Sequence, residues 1–146
     1  MNDNQFDSPI LPGTFTTLLL LETLELYVSE PAALATPLVI HDDAMSNLQH
    51  LQILNLRNMN IRVFPADIRT LSQLTSLDLS INSLTDIPID AFFRLSNLIT
   101  LSLFRNFFPS FMTRVFTNLQ AVIYLSKYHH TWWEMGPVAP PRFTSI

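Results

Sequence analysis

The chain has 146 residues and a formal net charge of −4; 48% of it is apolar and it contains no cysteine. That is one domain's worth of sequence, with ample material for a core. Acids and bases are scattered, without the basic stripe that nucleic acid requires, and the lack of cysteine excludes disulfide frames, cysteine zinc clusters and thiol nucleophiles.

The first residues, MNDNQFDSPILPG, carry acids and no base ahead of the leucine run, the reverse of a signal peptide. Residues 1–17 read as a polar, proline- and glycine-punctuated leading segment that is poorly ordered. The apolar run Leu18–Leu21 is broken at Glu22 and Glu25, far short of the roughly 18 apolar residues of a membrane span. From Leu18 onward a leucine spacing recurs. The first copy shows Leu18, Leu21, Leu24 and Leu26. After it, Pro31 and Pro37 forbid a continuous helix, and the stretch PAALATPLVIHDD reads as an enlarged outer loop or as the end of a degenerate first copy.

The second copy has Leu48, Leu51, Leu54 and Leu56, then Ile61 and Phe64-Pro65. The third, nearly ideal, has Leu71, Leu74, Leu77 and Leu79, then Asn82, Leu84, Ile87-Pro88 and Phe92. The fourth repeats it as Leu95, Leu98, Leu101, Leu103 and Asn106, with an early Pro109 and a phenylalanine-rich second half. The fifth starts Leu119, Val122, Leu125 and then puts Lys127 where a buried leucine belongs. Regular copies are therefore expected to end there, with Trp132 and Trp133 folding over the last core edge. Four to five copies over 18–130 are followed by a proline-rich tail, 131–146.

The spacing L-x-x-L-x-L-x-x-N-x-L, at a period of 23 to 24 residues, resembles the leucine-rich repeat family. The resemblance implies an α/β solenoid with a short, curved parallel β-sheet on its concave face and loops, 3-10 turns or short helices on its convex face. The residue pattern predicts the same strand, since Leu77 and Leu79 alternate with outward residues. Asn82 and Asn106 stand where the chain leaves the strand, and a buried amide there satisfies backbone groups of adjacent copies. Met59 occupies that slot in copy two, which predicts a weak turn of the ladder, although Asn58 and Asn60 flank it.

Three outward columns follow. They are Thr23, Ile53, Ser76, Thr100 and Tyr124; Glu25, Asn55, Asp78, Ser102 and Ser126; and Tyr27, Arg57, Ser80, Phe104 and Tyr128. Aromatic and arginine side chains are the usual anchors of interfaces. Tyr27, Arg57, Asp78, Ser80, Phe104, Arg105 and Tyr128 are accordingly the expected partner-binding residues. The resemblance points to the same face, because proteins of this family typically bind partners there.

Other chemistry is weaker. His41-Asp42-Asp43 reads as a solvated turn rather than a metal site, and His129-His130 near Glu134 as polar filler, because adjacent residues of an extended segment point apart. Glu22 and Glu25 fall on opposite faces of a strand, so they form no carboxylate pair. With only Gly13 and Gly136, no glycine-rich phosphate loop exists. The expectation is a non-catalytic protein–protein interaction module with no cofactor, no metal and no nucleic acid partner. The alternatives are a structural piece of a longer repeat protein, to which a mean hydropathy of +0.25 is suited, and the recognition arm of an enzyme whose catalytic part lies elsewhere. Thr144-Ser145-Ile146 matches the Ser/Thr-x-hydrophobic terminus that PDZ domains take up. The lack of cysteine, of an Asn-x-Ser/Thr sequon and of a leader favours the cytoplasm; a receptor ectodomain fragment implies the outside. Within the resemblance, the I-P-x-x-A-F of copy three is the form common in extracellular receptors, whereas the F-P-x-x-I-x-x-L of copy two is closer to intracellular scaffolds.

Overall fold

One inward leucine flanked by two outward residues makes the same three-residue strand in each copy. The computed structural model describes residues 8–29, 36–108, 113–116, 119 and 124–126. Its strands are β1 (Thr23–Glu25), β2 (Ile53–Asn55), β3 (Ser76–Asp78), β4 (Thr100–Ser102) and β5 (Tyr124–Ser126). They form one parallel sheet in chain order. The register aligns Leu24, Leu54, Leu77, Leu101 and Leu125, and with them the two outward columns that flank these leucines. Parallel neighbours need a crossover of about a dozen residues or more. Here the crossovers are loops and short 3-10 turns, at Ala66–Thr70 and Thr113–Phe116.

The inward leucines make a single core. Leu54, Leu77 and Leu101 are fully buried, as are Leu51, Leu74 and Leu98 before them and Leu56 and Leu79 after them. Each contributes roughly 1.5 to 3 kcal/mol by leaving water. Behind them lies a bulkier outer layer. Phe64 meets Phe92 edge-on at 5.8 Å, and Phe92 stacks on Phe116 at 6.2 Å. The corner before each strand is a run of i→i−3 bonds, in which Leu71 N–H donates to Ile68 O and Leu74 N–H to Leu71 O. The same pair recurs as Leu95→Phe92 and Leu98→Leu95.

Past the strands, Asn82 links two copies. Its Oδ1 accepts from Met59 N–H (3.1 Å) and Ile61 N–H (3.0 Å), and its Nδ2 donates to Leu56 O and Leu79 O. Asn106 repeats the pattern one copy on, accepting from Leu84 N–H and donating to Leu79 O and Leu103 O. The expected weak turn at Met59 is repaired by a shift of one residue. Asn58 turns inward, and its Nδ2 donates to Val28 O at 2.9 Å, while the Met59 thioether is fully buried. Among the described residues no buried side-chain nitrogen or oxygen lacks a partner.

The leading segment departs from expectation. Ile10 is buried and pairs in parallel with Ile40, and Phe15 packs against the core. The reason is legible afterwards: Ile10, Phe15 and Leu18 have the spacing of Ile87, Phe92 and Leu95. Residues 8–17 thus form an outer return half of the coil rather than a loose lead. Leu18 itself is 43% exposed, unlike the fully buried Leu48 and Leu71, because among the described residues no further turn covers its outer side. The enlarged loop is held at its far end by Asp67, a buried carboxylate. Its Oδ1 accepts from Asp43 N–H and its Oδ2 from Met45 N–H, at 2.9 and 2.7 Å. His41, Asp42 and Asp43 are exposed on that loop. Pro109, Lys127, Tyr128, His129, His130, Trp132, Trp133, Glu134 and Thr144–Ile146 lie outside the described residues.

One column of the turn after the strands is left-handed in copies two to four: Asn58 at φ 57°, Ile81 at φ 54° and Arg105 at φ 53°. Asparagine tolerates that region, whereas a β-branched residue there is strained by about 1–2 kcal/mol. Ile81→Asn is therefore expected to raise stability by about 0.5–1 kcal/mol, read as a higher Tm in a thermal melt. Asn82→Leu is expected to lower it by roughly 3 kcal/mol or more, since the Met59 and Ile61 N–H groups lose their acceptor inside the core. A denaturant titration with an unchanged midpoint for Asn82→Leu would contradict the ladder.

Candidate functional site

The concave face is built by the strand ends. Asn55 Oδ1 accepts from Arg57 N–H at 3.1 Å, and Asp78 Oδ1 accepts from Ser80 N–H at 2.8 Å. Each is a side chain bonding the backbone two residues on, which turns the chain sharply at the end of the strand. Asp78, singled out for partner binding, therefore also has a structural task, and only its second oxygen is outside that turn. The turn lifts the third column onto the rim of the sheet.

In that column Arg57 and Phe104 are half-buried, and Ser80 is fully buried between them in sequence order. Ser80, expected in the outward set, does not face solvent: Arg57 Nη1 donates to its Oγ at 3.1 Å. Arg57 Cζ stands 5.4 Å from the centre of the Phe104 ring, and Arg105 Cζ stands 5.5 Å from it. Two guanidinium groups thus converge on one aromatic ring, an attraction of about 0.5–1 kcal/mol each at a partly wetted site. Tyr27 is half-buried at the β1 end of the column; Tyr128, expected at the other end, lies outside the described residues.

Beside the cluster opens a cleft of about 350 Å³. Asn58, Asn60, Ser83 and Arg105 line it with polar groups, and Ile81 and Phe107 with apolar ones. Ser83 Oγ donates to Asn60 Oδ1 at 2.9 Å, fixing one wall, and Phe107 is 70% exposed on the rim. The three-column reading missed this cleft. The signal was the residue one place past the third column, where Asn58 stands in copy two in a slot that suits left-handed backbone. Among the described residues no group of three or more His, Asp or Glu side chains is placed to hold a metal ion. No helix among them is long and apolar enough to cross a membrane.

Comparison with solved structures finds the same coil elsewhere. A leucine-rich repeat protein of Leptospira interrogans superposes with a TM-score of 0.65 at 28% identity, over 80% of this chain and 28% of its own. An internalin from Listeria monocytogenes gives 0.58 at 22% identity, over 80% of this chain and 31% of its own. The ectodomain of the Arabidopsis receptor kinase HAESA, solved with a peptide hormone ligand, gives 0.56 at 24% identity, over 80% and 19%. The chain spans less than a third of the length of each of these three proteins. No curated protein sequence matches it significantly. The family model for the leucine rich repeat matches residues 37–84 and 72–126, more than half of the chain, a span that takes in β2 to β5. The chain belongs to the leucine-rich repeat family, whose domains are generally protein-interaction modules and typically not catalysts.

Proposed function

We propose that this chain binds a protein partner through the concave face of its sheet, without catalysis, and that the third column carries most of the contact energy. The observation that supports it most is the Phe104 ring met by both Arg57 and Arg105, on a face where neither the core nor the ladder calls for an aromatic. Aromatic and arginine side chains dominate the energetics of interfaces, and a ring already fixed by two neighbours loses little freedom on binding. The HAESA complex illustrates that the fold is compatible with a peptide ligand. The proposed binding residues are Tyr27, Arg57, Asp78, Phe104, Arg105 and Tyr128, on a repeat domain over 18–130, with the turns from residue 8 packed onto it and a proline-rich tail at 131–146.

A second reading has an observation of its own. Leu19 and Leu20 are exposed at corner positions that are Gln49 and His50 in copy two and Ser72 and Gln73 in copy three. That apolar outer turn suits a section of a longer array with no independent binding. Size-exclusion chromatography separates the two: a clean monomer supports a self-sufficient module, and soluble aggregates support the section.

Phe104→Ala is expected to leave the Tm within a few degrees of the parent, because the ring is only half-buried, and to weaken partner binding about tenfold or more. A pull-down comparing the parent with a Tyr27→Ala, Phe104→Ala, Tyr128→Ala variant checks it. A protein retained by the parent and lost by the variant supports the assignment; equal retention refutes it. Unfolding of Phe104→Ala alone would mean that the ring belongs to the core.

A further inference from the structure

The strained Ile81, the doubled guanidinium and the cleft occur together. We infer that the Arg57–Phe104–Arg105 cluster and the cleft beside it receive an acidic side chain of an extended peptide, with an apolar neighbour of that acid lying against Ile81 and Phe107. The inference rests on the concave-face reading and goes further by naming the chemistry of what binds.

Charge carries the first part. Both guanidinium carbons lie within 5.5 Å of one ring centre, so two positive charges stand against the same ring, and none of the residues lining the cleft carries a carboxylate. A guanidinium presents its N–H groups as a planar fork that matches a carboxylate, and the bond from Arg57 Nη1 to the buried Ser80 Oγ fixes the orientation of one fork. A polyanion is disfavoured. Glu25 and Asp78 stand in the adjacent column and the whole chain is at −4, so the attraction is confined to one spot. A single carboxylate on an otherwise uncharged strand of peptide fits that field; a nucleic acid or phosphate-rich surface does not.

Backbone strain carries the second part. Asn58 relieves the left-handed turn in copy two, yet the equivalent place in copy three holds an isoleucine at φ 54° that lines the cleft. A strained apolar side chain kept on a wall, facing an exposed phenylalanine, is a surface for an apolar group. The cleft's volume of about 350 Å³ is at the low end for binding pockets and suits a side chain or two rather than a whole ligand.

The test uses a displayed library of random peptides selected on the full chain. Peptides pairing Asp or Glu with a neighbouring large apolar residue are expected to be enriched. Synthetic versions should weaken about fivefold on Arg57→Gln or Arg105→Gln and weaken further as salt rises from about 0.05 M to 0.5 M. Arg105→Glu should shift the enrichment to basic peptides, a gain that a misfolded variant cannot mimic. Ile81→Asn should raise the Tm while lowering affinity for the same peptides. Enriched peptides that are neutral, or acidic ones indifferent to both arginine substitutions, overturn this inference. If those peptides are nonetheless lost on Phe104→Ala, the concave-face reading stands without it. No enrichment on the folded parent chain overturns this inference and leaves the concave-face reading to the pull-down.

Discussion

Everything in this molecule depends on copies stacking in register along the sheet. The constraint is backbone hydrogen bonding between parallel neighbours, and it repeats almost atom for atom. Gln52 and Ile53 N–H both donate to Glu22 O, Thr75 and Ser76 N–H to Gln52 O, and Ile99 and Thr100 N–H to Thr75 O. A slip of one residue would swap every inward leucine for an outward residue, so the core and the concave columns are set by one choice. A copy on its own cannot shield its leucines; stacked, they share a single dry interior.

The unequal lengths of the copies are absorbed away from that sheet. The spacing of 30 residues between the first two leading leucines does not disturb the pairing of β1 with β2. The surplus goes into the outer loop, where Leu38 N–H bonds Met59 O and Asp67 ties down the N–H groups of Asp43 and Met45. A buried carboxylate accepting two backbone bonds anchors the loop just ahead of its regular corner, where Leu48 N–H donates to Met45 O and Leu51 N–H to Leu48 O. The third column inherits its position from the sheet and from the turns that Asn55 and Asp78 make at the strand ends, which keeps Arg57 and Phe104 in reach of one another across copy three.

The fold was legible because its signal is redundant. Leucines at four equivalent places in four copies assign strands to within a residue, and the outward columns at the strands coincide with the observed pairing. Two things were less legible. The order of residues 8–17 was hidden because Ile10 and Phe15 match only the return half of a copy, which carries fewer fixed apolar positions than the strand half. The burial of Ser80 was hidden because the period-two alternation stops at the strand end: beyond Asp78 the chain turns, and which side faces water depends on a neighbour's Arg57 rather than on spacing. The cleft belongs to the same class, since it is made by the ends of copies two to four and no single copy contains it.

The first turn among the described residues, with Leu18 partly in water, has a consequence for how the coil opens. Each turn is steadied only by those beside it, so thermal fraying starts where a turn has one companion and proceeds inward like a zipper. Where no further turn covers Leu18, the amides near Leu24 exchange with solvent before those near Leu77. A ligand seated across the second to fourth turns would rest on the most durable stretch and would clip the zipper shut from its middle.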